Sequence, residues 1–591
     1  MTLTKQLRTT GYLALIICLI TVLHSCKKSG LENNNNGNNN GGNNGGTDTT
    51  VITPPNEPPL ATTIGFYADD WKPKTFTPPA YTATAKPTST ADAVVTADMS
   101  NIITKVSKYL FGNNSNPFMT QMVTEPVLLD EIRKLSPNVI RFPGGNISSV
   151  YFWNEAPNAP PADAPSKLLD ANGNSMDPGY WYGKNTADWT LSVDNYYSML
   201  QQTNSTGIIT INYSYARYSN AANPVAAAAH LAADWVRYDK GRTKFWEVGN
   251  ESNGVWQAGY EIDVSQNHDG QPQLITGALY GQHFKVFADS MRAAAAETGA
   301  TIKIGAQLLD AAPQSWQTPT DQTWNQGVLT AAADAPDFYI VHDYYTPYNT
   351  NSKAADILST ATAVTQNIIT YYQAQLTQYG VATKPLALTE WNIFATGSKQ
   401  MVSHVAGMHA AITLCELIKN KFGEASRWDL ANGWSNGDDQ GMFNNGDEPN
   451  APKWLPRPAY YHMAFMQKYF GDRMVSASVT GSGDINAYAS SWSSGQSAIV
   501  IANTGTGDKT VSVTIKNFKP GTNYYWYTLT GGSDNGEFSR KLYINGAGPT
   551  GDSGGPADFG NIKAYQAAVQ GGITITAPAR SISFLVVDNQ K

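Results

Sequence analysis

Phe245-Trp246-Glu247-Val248-Gly249-Asn250-Glu251 opens as a short apolar run and breaks into a glycine, an amide and a carboxyl group. The run has the length and composition of a buried strand, and the break marks the strand end that delivers polar groups. In a (β/α)8 barrel, catalytic residues sit at that C-terminal mouth. Pro385-Leu386-Ala387-Leu388-Thr389-Glu390-Trp391-Asn392 repeats the design much later in the chain. Two strand-end glutamates are what hydrolysis of a glycosidic bond requires. One protonates the leaving oxygen, and the other attacks the sugar carbon or activates water. Glu251 and Glu390 are therefore the candidate catalytic pair.

Outward from these two stretches, β-type runs alternate with helical patterns, the signature of a parallel sheet with crossovers. Strands are expected at 105–111, 138–141, 207–212, 243–248, 301–306, 338–342, 385–389 and 426–430. Helices are expected at 123–135, 193–202, 224–238, 277–297, 354–378, 401–420 and 457–469. Eight strands favour closure into a barrel over an open doubly wound sheet. Gly112-Asn113-Asn114, after the first run, is not the glycine-rich phosphate turn an open nucleotide-binding sheet would carry. Beyond residue 471 the texture changes to alternating, β-branched and aromatic runs, at 485–492, 497–502, 510–518, 523–529 and 573–587, which predict an antiparallel sandwich. The expected fold is α/β: a (β/α)8 TIM barrel at 101–471 followed by an all-β C-terminal sandwich at 472–591, with a lead-in segment at 61–100.

The N-terminal 60 residues read differently. Lys5 and Arg8 precede an apolar run from Tyr12 to Leu23 of only 12 residues. A spanning helix needs about 20, so residues 1–25 read as an export signal. The run ends in Leu23-His24-Ser25-Cys26, which resembles the lipobox of bacterial lipoproteins. That resemblance implies cleavage before Cys26, lipidation of its sulfur, and a membrane-anchored protein at the outer membrane or cell surface. Residues 33–46 are only asparagine and glycine, and threonine and proline follow. Such composition cannot offset its ordering entropy, so 26–60 is expected to be a flexible tether. Of the three cysteines, Cys18 and Cys26 lie in this region. Cys415 is alone in a helical pattern and reads as a small apolar core residue.

The formal net charge of −7, with 15% charged residues and no basic run, argues against a nucleic-acid partner. No His or Cys cluster has metal-ligand spacing, and no cofactor is expected. Asp438-Asp439 and Asp447-Glu448 do not match a calcium loop and read as a solvated loop. Glu247, inside its run, is expected to pair with a cation below the mouth. The 15 Trp and 31 Tyr suit sugar faces, as they also suit a core.

Further polar groups fall at strand ends. Arg141, before Phe142-Pro143-Gly144-Gly145-Asn146, is placed to hydrogen-bond a carboxylate and hold it ionised. The two glycines bring backbone close to a ligand and aim Asn146 inward. His342 and Tyr344, in His342-Asp343-Tyr344-Tyr345, suit a carboxylate or a sugar hydroxyl. Asn250 is placed to bond a sugar 2-hydroxyl, and Trp391 to form an apolar wall.

Together, Arg-Phe-Pro-Gly-Gly-Asn, Gly-Asn-Glu, His-Asp-Tyr and Glu-Trp-Asn, in this order, resemble clan A of the retaining glycoside hydrolases. They are most similar to glycoside hydrolase family 51, the α-L-arabinofuranosidases. The resemblance covers roughly 95–470. It implies Glu251 as acid/base, Glu390 as nucleophile, and Arg141, Asn146, Asn250, His342 and Tyr344 around the sugar, with a carbohydrate substrate. That family places a sugar-binding glutamate shortly after its first strand, and the position here falls near Asn116. The departure bears on arabinofuranose specificity, not on retaining chemistry. An endo-acting clan A glycanase (for β-glucan, xylan or a related polymer) and a non-catalytic surface glycan-binding lipoprotein stay open as alternatives.

Overall fold

The computed structural model describes residues 52–59, 63–534 and 537–590. The export signal, Cys26 and the asparagine–glycine stretch lie outside the described residues.

Eight short parallel strands close into a barrel: β1 Gly112–Asn114, β2 Val139–Phe142, β3 Thr206–Ile211, β4 Phe245–Val248, β5 Lys303–Gln307, β6 Phe338–Tyr344, β7 Leu386–Asn392 and β8 Glu424–Arg427. Each pairs with its neighbour in chain order, and β8 pairs with β1 through Ser426 opposite Gly112. Seven strands fall within a few residues of the expected positions. The first does not: Lys105 ends a strand of the C-terminal sheet, 106–111 is a connection with a short 3-10 turn, and β1 is the Gly-Asn-Asn that follows. Gly112 suits the seam, because a Cβ there would stand 2.6 Å from the Ala425 carbonyl oxygen.

The crossovers are helical, and their ends show why. The helix Gly277–Thr298 is capped by the Thr276 hydroxyl and stops at Gly299 (φ 68°). The helix Pro319–Ala332 was not expected from the sequence. Thr318 and Asp321 cap each other's backbone N–H, and Pro319 holds the first turn. The helix His404–Lys419 is buried along nearly its whole length, because the helix Pro458–Tyr469 and the β-region close over its outer side. This explains its lack of a polar face. Cys415 is fully buried within it, and burial pushes its thiol well above the ordinary range.

The C-terminal β-region is an 11-stranded sheet, with residues from both of its halves packed into one core. It is not wholly antiparallel. Tyr81–Ala83 and Ala93–Lys105, from the expected lead-in, join it, and each pairs in parallel with a C-terminal strand. Ala93–Lys105 lies in its interior, between Arg473–Thr480 and Lys509–Lys516. The run expected at 573–587 is two strands, Ile573–Ala577 and Ser581–Asn589. The 3-10 turn Gly65–Ala68 closes the barrel floor, with the Tyr67 ring 4.9 Å from that of Phe245.

The segment before the barrel thus supplies both a floor plug and an inner strand. A chain starting at Val106 would expose two sheet edges and an open barrel floor. It is expected to aggregate on size-exclusion chromatography where the full chain runs as a sharp peak. A folded, soluble 106–591 chain would show that the sheet closes without this strand.

Candidate active site

The mouth is built from the ends of β1, β2, β4, β6 and β7. Arg141 ends β2 with its guanidinium fully buried. Its Nε donates to Glu247 Oε2 (2.7 Å), and Nη1 donates to Asn114 Oδ1 (2.9 Å) and Glu390 Oε2 (3.1 Å). Nη2 donates to Asn250 Oδ1 (2.7 Å). One cation therefore ties four strands and holds two carboxylates. Glu247 is the cation partner expected below the mouth, and it also accepts from Thr210 (2.8 Å).

Glu251 follows β4 after a turn in which Gly249 and Glu251 both take positive φ (79° and 42°). Its Oε1 lies 3.0 Å from His342 Nδ1, and its Oε2 accepts from Trp256 Nε1 at 2.8 Å. Glu390, in β7, accepts from the Tyr344 hydroxyl through Oε1 (2.5 Å), while its Oε2 lies 3.6 Å from His342 Nδ1. The other ring nitrogen, Nε2, is 3.1 Å from Thr389 Oγ1. Oxygens of both carboxyl groups and a ring nitrogen of His342 lie within 4.8 Å of one another. That cluster has metal-ligand distances, but the guanidinium on Glu390 Oε2 already supplies the positive charge and disfavours a second cation there.

Burial pushes the Glu251 carboxyl up. The hydrogen bond and positive charge of His342, the Trp256 indole and Arg141 outweigh it and leave the group below its ordinary value. For Glu390, burial and the neighbouring Glu251 charge outweigh the pull of His342, Arg141 and Tyr344, so the group stands above its ordinary value. The pair resists carrying two charges, and in this ligand-free geometry His342 draws the negative charge towards Glu251.

The other expected residues divide. Asn250 faces the site, and its buried Nδ2 has no partner. Asn116 is buried and donates to Asp429 Oδ2 at 2.5 Å, and Asn116 Oδ1 and Asp429 Oδ1 are both unpartnered. An acid at the end of β8 thus stands beside the amide. Burial, with the Asp439 charge, raises Asp429 well above the carboxylate range. Asn146 is exposed at the start of a 3-10 turn. Trp391 is only 1% exposed and packs in the core against Tyr345, so it presents no face to the mouth. Alternation along β7 explains this: Glu390 points into the barrel and its neighbour points out.

Sequence reasoning missed Trp256, 59% exposed beside Glu251, and Trp428, which covers Gly144-Gly145 so closely that a Cβ on Gly145 would lie 2.7 Å from its ring. It also missed Asp310 and Asp343, hydrogen-bonded to each other and both raised, first by burial. Asp439 and Glu448 are not solvated. Both are buried on Arg457 (2.8 and 3.1 Å).

A family model described as "Alpha-L-arabinofuranosidase 1 domain" matches residues 131–357, a stretch with Arg141, Glu251 and His342 that ends before Glu390. The chain is 24% identical over 329 residues to an intracellular exo-alpha-(1->5)-L-arabinofuranosidase of Bifidobacterium longum, covering 51% of this chain and 52% of that protein. A protein of the same name from Acetivibrio thermocellus is 24% identical over 240 residues, covering 39% and 41%. The chain thus spans about half the length of the curated relatives it matches. An α-L-arabinofuranosidase from Thermotoga maritima, solved with arabinose, superposes with a TM-score of 0.56 at 17% identity, covering 84% of this chain and 99% of that one. It shares the fold.

The expected placement at the outer membrane or cell surface is corrected by these comparisons. Four of the curated relatives are named intracellular. Among the described residues, no helix is long and apolar enough to cross a membrane.

Below the mouth, Glu424 of β8 is fully buried and hydrogen-bonded to Ser426. Burial first, then the Glu247 charge, pushes it from an ordinary 4.5 up to about 8. A carboxyl raised by folding contributes stability that is complete below about 4.5 and lost as pH rises through about 8. The loss is about 5 kcal/mol. The Tm of the protein is therefore expected to fall between about pH 4.5 and 8, and that of Glu424→Gln to fall less steeply. Parallel Tm–pH curves in this window would refute the assignment.

Proposed function

We propose that the chain is a retaining glycoside hydrolase that releases α-L-arabinofuranosyl units by double displacement, with Glu390 as nucleophile and Glu251 as acid/base. The observation that carries this reading is the pair of strand-end carboxylates with oxygens within 4.8 Å of one another. That is the close spacing of retaining enzymes, whose carboxyl groups are about 5–5.5 Å apart, and not the wider gap that admits a water. The sugar class rests on the relatives, which are named arabinofuranosidases.

Glu390 attacks the anomeric carbon as the bond to the leaving oxygen breaks, and the proton of Glu251 passes to that oxygen. Glu251, now a carboxylate, takes a proton from water as the water attacks the same carbon and frees Glu390. Two successive inversions at the anomeric carbon give net retention. Arg141 and Tyr344 both donate to Glu390 and stabilise its ionised form. The charge order of the pair is the reverse of the order this step needs, and the contact that sets it is His342 on Glu251. Beside a neutral imidazole that order reverses: the protonated Glu251 carboxyl keeps its proton and donates a hydrogen bond to Nδ1, while Nε2–H is donated to Thr389 Oγ1. Asn250 Oδ1 is engaged by Arg141, which leaves its unpartnered Nδ2 to donate to a sugar hydroxyl. Asn116 and protonated Asp429 offer an acceptor and a donor to another hydroxyl.

Glu251→Ala is expected to lose about 10²–10⁴-fold in kcat on arabino-oligosaccharides, and less on p-nitrophenyl α-L-arabinofuranoside, whose leaving group needs little protonation. Azide should restore turnover in Glu251→Ala and give a glycosyl azide of retained configuration. Glu390→Gly with azide should give the inverted product. Undiminished hydrolysis by Glu390→Gly, or exchanged azide stereochemistry, would overturn the roles. Silence of the wild type on all arabinofuranosides would overturn the substrate class.

A further inference from the structure

Three segments that follow barrel strands enclose a cavity of about 300 Å³ that includes none of the residues around Glu251 and Glu390. They are the hairpin Leu168–Leu169/Ser175–Met176 after β2, the helical turn Tyr215–Tyr218 after β3, and the loop carrying Glu261 and Asn267 after β4. All leave C-terminal strand ends, so the cavity opens on the same face of the barrel as the two glutamates. The loop after β4 joins the two places, with Trp256 near its start and Asn267 further along.

The cavity walls have a definite chemistry. Asn220 and Asn267 both line it, and each holds a buried polar atom without a hydrogen-bond partner: Oδ1 of Asn220, an acceptor, and Nδ2 of Asn267, a donor. The Asn267 amide is fixed, since its Oδ1 accepts from the Gln271 backbone at 2.8 Å. Arg217, behind the wall, is held by Gly259, Gln271, Pro272 and Gln273 oxygens at 2.7–3.1 Å. The charged lining residues are Lys167, Arg217, Glu261 and Asp263, two of each sign, so the wall has no net charge to attract an ion. A buried amide donor and acceptor left unmade cost free energy until something bonds them. A hydroxyl group is both donor and acceptor. The volume is at the small end of ligand pockets, about 300–1,000 Å³, which suits a mono- or disaccharide unit.

We propose that this cavity is a second, non-catalytic binding site for a neutral saccharide, in which Asn220 and Asn267 bond ring hydroxyls and hold a polymeric substrate beside the mouth. The choice of a saccharide as ligand rests on the glycoside hydrolase reading above, whereas the cavity and its unpartnered amides do not.

Calorimetry on the full chain carrying Glu390→Gln, with arabino-, xylo- and cello-tetraose as probes, tests the site without turnover. At least one probe is expected to bind one more equivalent to this protein than to the same protein carrying Asn220→Leu and Asn267→Leu. Ser175→Trp, on the exposed hairpin, fills the cavity without touching the core and should abolish the same equivalent. In the active background, either change should leave kcat/KM for p-nitrophenyl α-L-arabinofuranoside unchanged and raise KM on polymeric arabinan several-fold. An equal number of equivalents in parent and variants for every probe would overturn the proposal. If the wild type is silent on arabinofuranosides but the extra equivalent is present, the catalytic reading fails and the second site stands.

Discussion

The structure depends on one buried guanidinium. Arg141 has lost its hydration entirely, a penalty of several kcal/mol for an ion in a protein interior. Its four hydrogen bonds to Glu247, Asn114, Glu390 and Asn250 offset that loss. The partners come from β1, β4 and β7, so a single side chain from β2 fixes the relative heights of the strand ends around half the barrel. Glu247 has a structural part in this. It supplies a negative charge below the guanidinium, which leaves Nη1 and Nη2 to reach up to the mouth. Glu424 lies deeper still and is protonated at neutral pH, because burial first, and then the Glu247 charge, outweigh the pull of Ser426 and Arg141.

At the mouth the same electrostatics set the behaviour of the two glutamates. Each is buried, each feels the other, and His342 reaches both. Such a pair titrates as a unit, and small changes at the ring decide which partner carries the proton. Thr389 is a neutral partner at the far nitrogen, and its hydroxyl can either donate to Nε2 or accept from Nε2–H. It therefore tolerates both tautomers of the imidazole. A carboxylate at that position would fix one tautomer. The chemistry proposed for Glu251 needs both, since that residue gives up a proton in one half-reaction and recovers it in the other.

Much of this was legible because it is local. Apolar runs that end in Gly-Asn-Glu, Arg-Phe-Pro-Gly-Gly and His-Asp-Tyr mark three strand ends by composition alone, and the alternation of β-type runs with helical patterns placed the other four of the seven. What was missed is set by contacts remote in sequence. Gly112–Asn114 has a turn-like composition and becomes a strand only because β8 and β2 flank it. Ala93–Lys105 alternates clearly, but its partners lie some 370–420 residues further along, so nothing nearby announced where it belongs. Trp391 follows the nucleophile candidate in sequence, and the period of two in a strand turns it into the core. Trp256 and Trp428 sit in loops, and only the closed barrel brings them to the mouth. The helix Pro319–Ala332 did carry a local signal, the capping box Thr318-Pro319-Thr320-Asp321.

The departure at Asn116 shows how far a single-position argument reaches. Read along the sequence, replacement of a glutamate by an amide removes a charge from the sugar site. Read in the fold, the amide bonds Asp429, and the two together present an unpartnered acceptor and an unpartnered acid oxygen. Burial raises that acid well above the carboxylate range, which favours a neutral donor–acceptor pair over a further negative charge near Glu390. A carboxylate there would push the Glu390 value higher still, by like-charge repulsion in a site that is already short of cations. In the proposed reading, the amide and the acid beside it would take over hydroxyl recognition while keeping the nucleophile candidate within reach of Arg141's single charge.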